Sequence, residues 1–278
     1  MDDWLPLVSV IVPTCNSAGT LEACLESVRA QGYRNIELIV VDNRSTDTTV
    51  EIARRCADIV IEGYGERSCQ VNLGWRAASG DFVFRVDSDF TLDRRVVEEC
   101  VQAARLGADA VVVHNTPDPT ISWIARVRNF EVSLYKYDMA HSAARFVRKD
   151  WFGVIGGYNE SLIAGEDYDF QNRLVKSGAR IRFVDAEATH HGEPVSLFSH
   201  LKKCAWYGAD FVNFVCLDVP HGVAQVSFVR GAFIRNWRRM CSHPVLSIEL
   251  VGYLTLKYGA GATGFCVGLT KRMWSLKR

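Results

Sequence analysis

Three observations in the sequence predict an α/β fold with a mostly parallel sheet flanked by helices and followed by a helical extension. Short runs rich in β-branched residues alternate with segments of helical apolar spacing. Turn-forming residues close each run. Carboxylates stand where the runs end, and the strand ends of an open α/β sheet share one crevice. The 278 residues, 48% of them hydrophobic, suffice for one large core or for a domain with an appendage.

The first run, LVSVIV at 7–12, has the length and content of a buried strand, and Pro13-Thr14 ends it. Leu21, Cys24, Leu25 and Val28 give residues 19–30 helical spacing. IELIVV at 36–41 is the second strand and delivers Asp42. Asp47 or Ser45 would cap the helix that follows, through Ile52. A third strand at 58–61 and a helix over 66–78, stopped at Gly80, lead to FVFRV at 82–86, which delivers Asp87 and Asp89.

The second half is less regular. An amphipathic helix over 93–106 precedes a strand at 110–113, and a helix over 123–137 follows a Pro-bounded turn. A strand at 144–147, a helix over 164–176 ended by Gly178, and a last strand at 181–184 bring the chain to His190-His191. Helices are expected at about 196–215, 224–241 and 245–272. We expect a domain over 1–199, with halves at about 1–115 and 116–199, and an extension over 200–278 marked by a change of charge.

Formal net charge is zero, yet from Leu201 on there are eleven Lys/Arg against three Asp/Glu. Such a basic tail would suit a membrane surface, an acidic carrier protein or a phosphorylated acceptor. The segment at 245–272 is nearly long enough to span a bilayer, but Glu249 and Lys257 interrupt it, so peripheral contact and soluble packing both stay open. Nine scattered cysteines without metal-ligand spacing, and an acidic N-terminus without a leader pattern, suggest a cytoplasmic protein, free or at the membrane face. The basic residues belong to no nucleic-acid-binding module.

The ordered motifs VSVIVPTCNSAGTLEACLESVRAQ, IELIVVDNRSTDTT, VDSD and GGYNESLIAGEDYDFQNRL closely resemble the family 2 glycosyltransferases of GT-A fold, over roughly residues 7–192. The resemblance implies an inverting transferase that uses a nucleoside diphosphate sugar and Mg²⁺ or Mn²⁺. Uridine diphosphate sugars would be the first choice of donor and GDP-mannose the next. Pro13, Thr14 and Asp42 would line the nucleotide crevice, with Arg67, Asn72 and Ser88 bordering it. The competing reading of Asp42 is a turn residue.

Asp89 would ligate the metal, with Asp87 near the ribose or a metal-bound water, because hard cations prefer oxygen ligands. His191 would be a third ligand, with His190 its competitor. Asp167 would take the acceptor proton, and Glu166 would support it or hold the acceptor. Both acids would equally suit a helix N-terminus. Arg148 and Trp151 would lie on the acceptor side. The segment Gln171-Asn172-Arg173-Leu174 lacks the QxxRW motif of processive synthases, so one sugar per encounter is expected, moved to a lipid, glycan or small molecule. A catalytically silent nucleotide-sugar-binding protein is the competing class.

Overall fold

A computed structural model gives the fold of residues 4–217, 222 and 230–275. They form two compact units. The first takes the chain up to Asn115, then Ala143–Glu160 and Asp167–Gly192. The second takes Thr116–Ser142, Ser161–Glu166 and the chain from Glu193.

The first unit is built on an eight-stranded sheet. Its strands are β1 (Val8–Thr14), β2 (Ile36–Asp42), β3 (Ile59–Glu62), β4 (Phe82–Arg85), β5 (Phe90–Leu92), β6 (Ala110–Pro117), β7 (Phe146–Arg148) and β8 (Ile181–His190), in the spatial order β3-β2-β1-β4-β7-β6-β8-β5. The pairs β1–β2, β2–β3 and β1–β4 are parallel, whereas β4–β7, β6–β7 and β5–β8 are antiparallel. Parallel pairing therefore belongs to the strands joined by helices: α1 (Leu21–Arg29) after β1, α2 (Thr49–Cys56) after β2 and α3 (Arg67–Ala77) after β3. The chain winds from β1 out to β3 and returns to β4 on the other side of β1. The gap between the ends of β1 and β4 is thus a topological switch point, where open α/β sheets take ligands.

Alternation along the central strands supplies two cores. Val10, Val12, Leu38 and Val40 pack under α1, α2 and α4 (Val96–Arg105). Ile11, Ile39 and Val41 pack on the other face, with Val71 of α3, Phe152 of α6 (Lys149–Val154) and Phe170 and Leu174 of α7 (Glu166–Lys176). Cys24 and Cys100 belong to the first core as small apolar side chains. The last strand runs to His190, farther than the apolar run at 181–184 reaches, because its second half pairs with β5: Phe90 lies opposite His190 and Leu92 opposite Ala188.

In the second unit, α5 (Trp123–Ser133) starts at Ser122, whose Oγ accepts the Ala125 N–H at 3.0 Å. It is followed by α8 (Leu197–Leu217), α9 (Gly231–Arg235), α10 (Trp237–Ser242) and α11 (Pro244–Ser275). Of the helix expected over 224–241, residues 224–229 lie outside the described residues, and the remainder is divided between α9 and α10. Leu250, Tyr253 and Leu254 of α11 share a core with Ile124, Val127, Phe130 and Leu134. Farther along, α11 packs on α8 through glycines. A Cβ on Gly264 would lie 1.8 Å from the Ala205 carbonyl oxygen, and one on Gly268 would lie 2.2 Å from that of Ala209. Among the described residues no helix is long and apolar enough to cross a membrane.

The glycines of α11 make opposite predictions. Gly264→Val drives its side chain into a backbone carbonyl and is expected to lower the thermal midpoint sharply. Gly259 has nothing within 4 Å of a built Cβ, so Gly259→Ala is expected to stabilise by up to about 1 kcal/mol. Thermal melts of both variants check this; a harmless Gly264→Val would contradict the close packing.

Candidate active site

β4 ends at Arg85, and the chain turns through Asp87, Ser88 and Asp89 before entering β5. The Arg85 side chain is 2% exposed. Its Nε donates to Asp87 Oδ1 at 3.0 Å, its Nη1 donates to Asp167 Oδ1, and its guanidinium lies over the Tyr158 ring at 5.3 Å. Arg145, just before β7, reaches the same two acids: its Nη1 donates to Asp87 Oδ2 at 3.0 Å and its Nη2 lies 3.7 Å from Asp167 Oδ2. Two carboxylates, one from the turn after β4 and one from helix α7, are thereby gathered on two guanidinium groups.

Burial alone would raise the carboxyls of both Asp87 and Asp167. The charges of Arg85, Arg145 and Arg67 outweigh it and hold both below the usual carboxylate range. Both acids are therefore ionised at neutral pH. Arg67 joins them through its field from the first turn of α3. Tyr158 is pushed up to about 12, chiefly by burial. The sequence reading passed over Arg85 and Arg145; the signal available was an arginine inside a run otherwise read as a buried strand.

Asp89 is placed differently. Its Oδ2 lies 3.0 Å from His190 Nε2, and neither side chain is fully buried. A Cβ on Gly192 would fall 1.9 Å from the same Oδ2, so the chain approaches Asp89 this closely only with glycine there. His191 Nε2 instead meets Thr91 Oγ1 at 2.8 Å, while its backbone N–H donates to the Asp89 carbonyl. It is thus His190, the competitor in the sequence reading, whose ring meets the Asp89 carboxylate.

At the switch point, Thr14 and Asp42 are register partners at the ends of β1 and β2, beside Pro13. Thr14 Oγ1 is buried and has no hydrogen-bond partner within the chain. Asp42 accepts the Ser45 N–H at 2.8 Å and the Ser45 Oγ–H at 2.5 Å, so it closes its own turn. Gln70 Nε2 bridges the carbonyls of Thr14 and Val41 at 2.8 and 2.7 Å and fixes the two strand ends together. Ser88 Oγ donates to Ser17 Oγ at 2.9 Å.

Other expected residues make contacts of their own. The Asn72 amide holds the 157–160 loop: it donates to the Tyr158 carbonyl and Glu160 Oε1 and accepts the Tyr158 N–H. Arg173 holds the same loop through the Gly157 carbonyl at 2.7 Å. Arg148 lies opposite Phe82, at the far end of β4 from Asp87, and pairs with Asp109 and Asp150. Trp151 packs into the second core. Glu166 is buried and belongs to the second unit.

The donor set can be tested against a divalent cation. Both Asp87 oxygens face arginines, whereas Asp89 and His190 offer an oxygen and an imidazole nitrogen within one hydrogen-bond distance. That pair fits Mn²⁺ or Mg²⁺ provided that substrate oxygens and water complete the shell. Among the described residues no group of three His, Cys, Asp or Glu is placed to hold a metal.

The profile of the family described as Glycosyl transferase family 2 matches residues 9–157. The chain is 30% identical over 270 residues to a PGL/p-HBAD biosynthesis glycosyltransferase of Mycobacterium tuberculosis, covering 89% of this chain and 97% of that one. Among solved structures, the fold is similar to the mannosyltransferase PcManGT of Pyrobaculum calidifontis in complex with GDP-Man and Mn²⁺. The TM-score is 0.64 at 18% identity, over 96% of this chain and 88% of that one. It is also similar to S. aureus TarS 1–349 in complex with UDP-GlcNAc, with a TM-score of 0.53 at 17% identity over 96% and 92% of the two chains.

Arg85→Met would leave two half-buried carboxylates with reduced countercharge. In the native fold both carboxyls sit low, so the stability they contribute is present at neutral pH and is lost as pH falls below about 4. The variant is expected to lose about 3–5 kcal/mol at neutral pH. That deficit should narrow as acid protonates the stranded groups. Urea unfolding at neutral and mildly acidic pH reads it, and a deficit independent of pH would contradict the shared guanidinium.

Proposed function

Given that the chain belongs to the family 2 glycosyltransferases, we propose that it moves one sugar per encounter from a nucleoside diphosphate sugar to an acceptor hydroxyl, by direct displacement with inversion. The observation that carries this reading is the gathering of Asp167 and Asp87 on Arg85, with Asp89 and His190 left to one side.

In this reading the nucleotide enters at the switch point, against Pro13, the free Thr14 hydroxyl and Asp42, with Ser88 beside it. Asp89 and His190 would hold Mg²⁺ or Mn²⁺, which when bound neutralises the charge of the departing diphosphate. Arg67 stands at the N-terminus of α3, where a diphosphate is favoured by both its charge and the helix dipole. Asp167 takes the acceptor proton. Because two guanidinium groups hold it, it is ionised and ready but only weakly basic, so proton transfer follows bond formation closely rather than leading it. Arg85 and Arg145 fix the direction from which its oxygens meet the acceptor.

The donor is of the UDP-sugar or GDP-mannose class, the two kinds bound by the similar structures. The acceptor is a lipid or glycan hydroxyl; the mycobacterial relative is a glycosyltransferase of PGL/p-HBAD biosynthesis.

Three measurements test the assignment. A screen of donor hydrolysis with Mn²⁺ and Mg²⁺ is expected to reveal slow, metal-dependent release of one nucleoside diphosphate; the absence of release from every donor would overturn the enzyme reading. Asp167→Asn should then cut hydrolysis and transfer by at least about a hundredfold with nucleotide binding nearly intact. His190→Ala should weaken the response to Mn²⁺ more than His191→Ala does. The reverse order would move the cation to His191.

A further inference from the structure

The longest helix of the chain has an outward surface that neither the fold nor the sugar-transfer site uses. Between Val245 and Thr270, α11 contains two charged residues, Glu249 and Lys257. Both are held in ion pairs with α5 in the second unit: Glu249 accepts from Arg126 Nη2 at 3.1 and 3.2 Å, and Lys257 Nζ donates to the buried Glu131 at 3.2 Å. The residues that break the apolar run in the sequence are therefore neutralised by α5 and expose less, 23% and 28% of their side chains, than the apolar residues of the outward face. Leu250, Tyr253 and Leu254, then Gly264 and Gly268, take the inward positions.

What remains outside carries no charge over about seven turns of helix. Val245 and Ile248 are 68% and 74% exposed, and Leu256 and Val267 continue the same stripe at helical spacing. Soluble monomers rarely leave so long an apolar strip to water. Basic and aromatic residues border it at both ends: exposed Trp237, Arg238 and Arg239 precede it, and Lys271, Arg272 and Trp274 follow it. Across the described residues from Gly231 on, the only acid is Glu249, already paired with Arg126.

We propose that the outer face of α11 lies in the interface of an anionic lipid bilayer, parallel to its plane. The apolar stripe would enter the boundary between headgroups and acyl chains, tryptophans would sit at the headgroup level, and the arginines and lysines would meet lipid phosphates. Charge complementarity selects this occupant over a second copy of the chain. A two-fold pair of these helices would set one basic end against another, parallel or antiparallel, at a repulsive cost that a bilayer rich in anionic lipid converts to attraction. Spanning is not required, because the inward face is already filled by the unit's own core and ion pairs.

The test uses the whole purified chain and vesicle flotation. It is expected to float with phosphatidylcholine vesicles containing phosphatidylglycerol, to bind pure phosphatidylcholine at least about tenfold more weakly, and to be released in part by salt. Ile248→Asp combined with Val267→Asp should abolish flotation while the circular dichroism, thermal midpoint and any donor hydrolysis stay unchanged. Three results would overturn the proposal: no flotation with anionic vesicles at low salt; flotation of the double variant equal to that of the parent; or light scattering that shows a dimer which the double variant splits, since a second copy would then cover the face. Because donor hydrolysis is read in the same samples, failure of the lipid surface is distinguishable from failure of the sugar-transfer reading.

Discussion

One guanidinium group, that of Arg85, is shared by two carboxylates that lie 80 residues apart in the chain. Without it, Asp87 and Asp167, both half-buried, would face one another with only Arg145 between them, and their repulsion would favour a proton on one of them. With Arg85 and Arg145 between them, both remain ionised. The consequence is a difference in donor counts. Asp87 hydrogen-bonds both oxygens to arginines, Asp167 hydrogen-bonds one, and Asp89 pairs with His190, and the roles proposed above rest on that difference. Tyr158 under the guanidinium and Gly192 against Asp89 are the packing conditions for that arrangement.

The same physics orders the second unit. Ion pairs there help to set the rotation of a helix: Arg126 and Glu131 of α5 hold the two charges of α11 on its α5 side and leave the opposite surface apolar. Glycines then let the far half of that helix approach α8 to backbone contact. A helix so fixed has little freedom to turn its apolar face inward, and the lipid-surface proposal rests on that constraint.

The strands of the first half were legible because β-branched runs closed by turn residues have few alternative readings, and the acids at their ends followed from the crevice rule. Strand direction in the second half was not legible, since apolar alternation is the same for a parallel and an antiparallel neighbour. Nor was the choice between His190 and His191: it depends on the register of β8 against β5, which sets Phe90 opposite His190. Arg85 was hidden for a further reason. A charged residue within a strand normally marks the solvent face, and only the fold reveals the two acids that neutralise it. Asn72 shows the converse. Its amide suits a nucleotide, yet its partners lie 86 and 88 positions away, in a loop whose approach no local pattern announces.

The most direct test of the shared-guanidinium account is the position of a bound manganese ion. In crystals grown with Mn²⁺ and a nucleoside diphosphate, anomalous scattering should place the ion on Asp89 and His190, with Asp87 and Asp167 still hydrogen-bonded to Arg85. An ion found between Asp87 and Asp167, with Arg85 displaced, would contradict it.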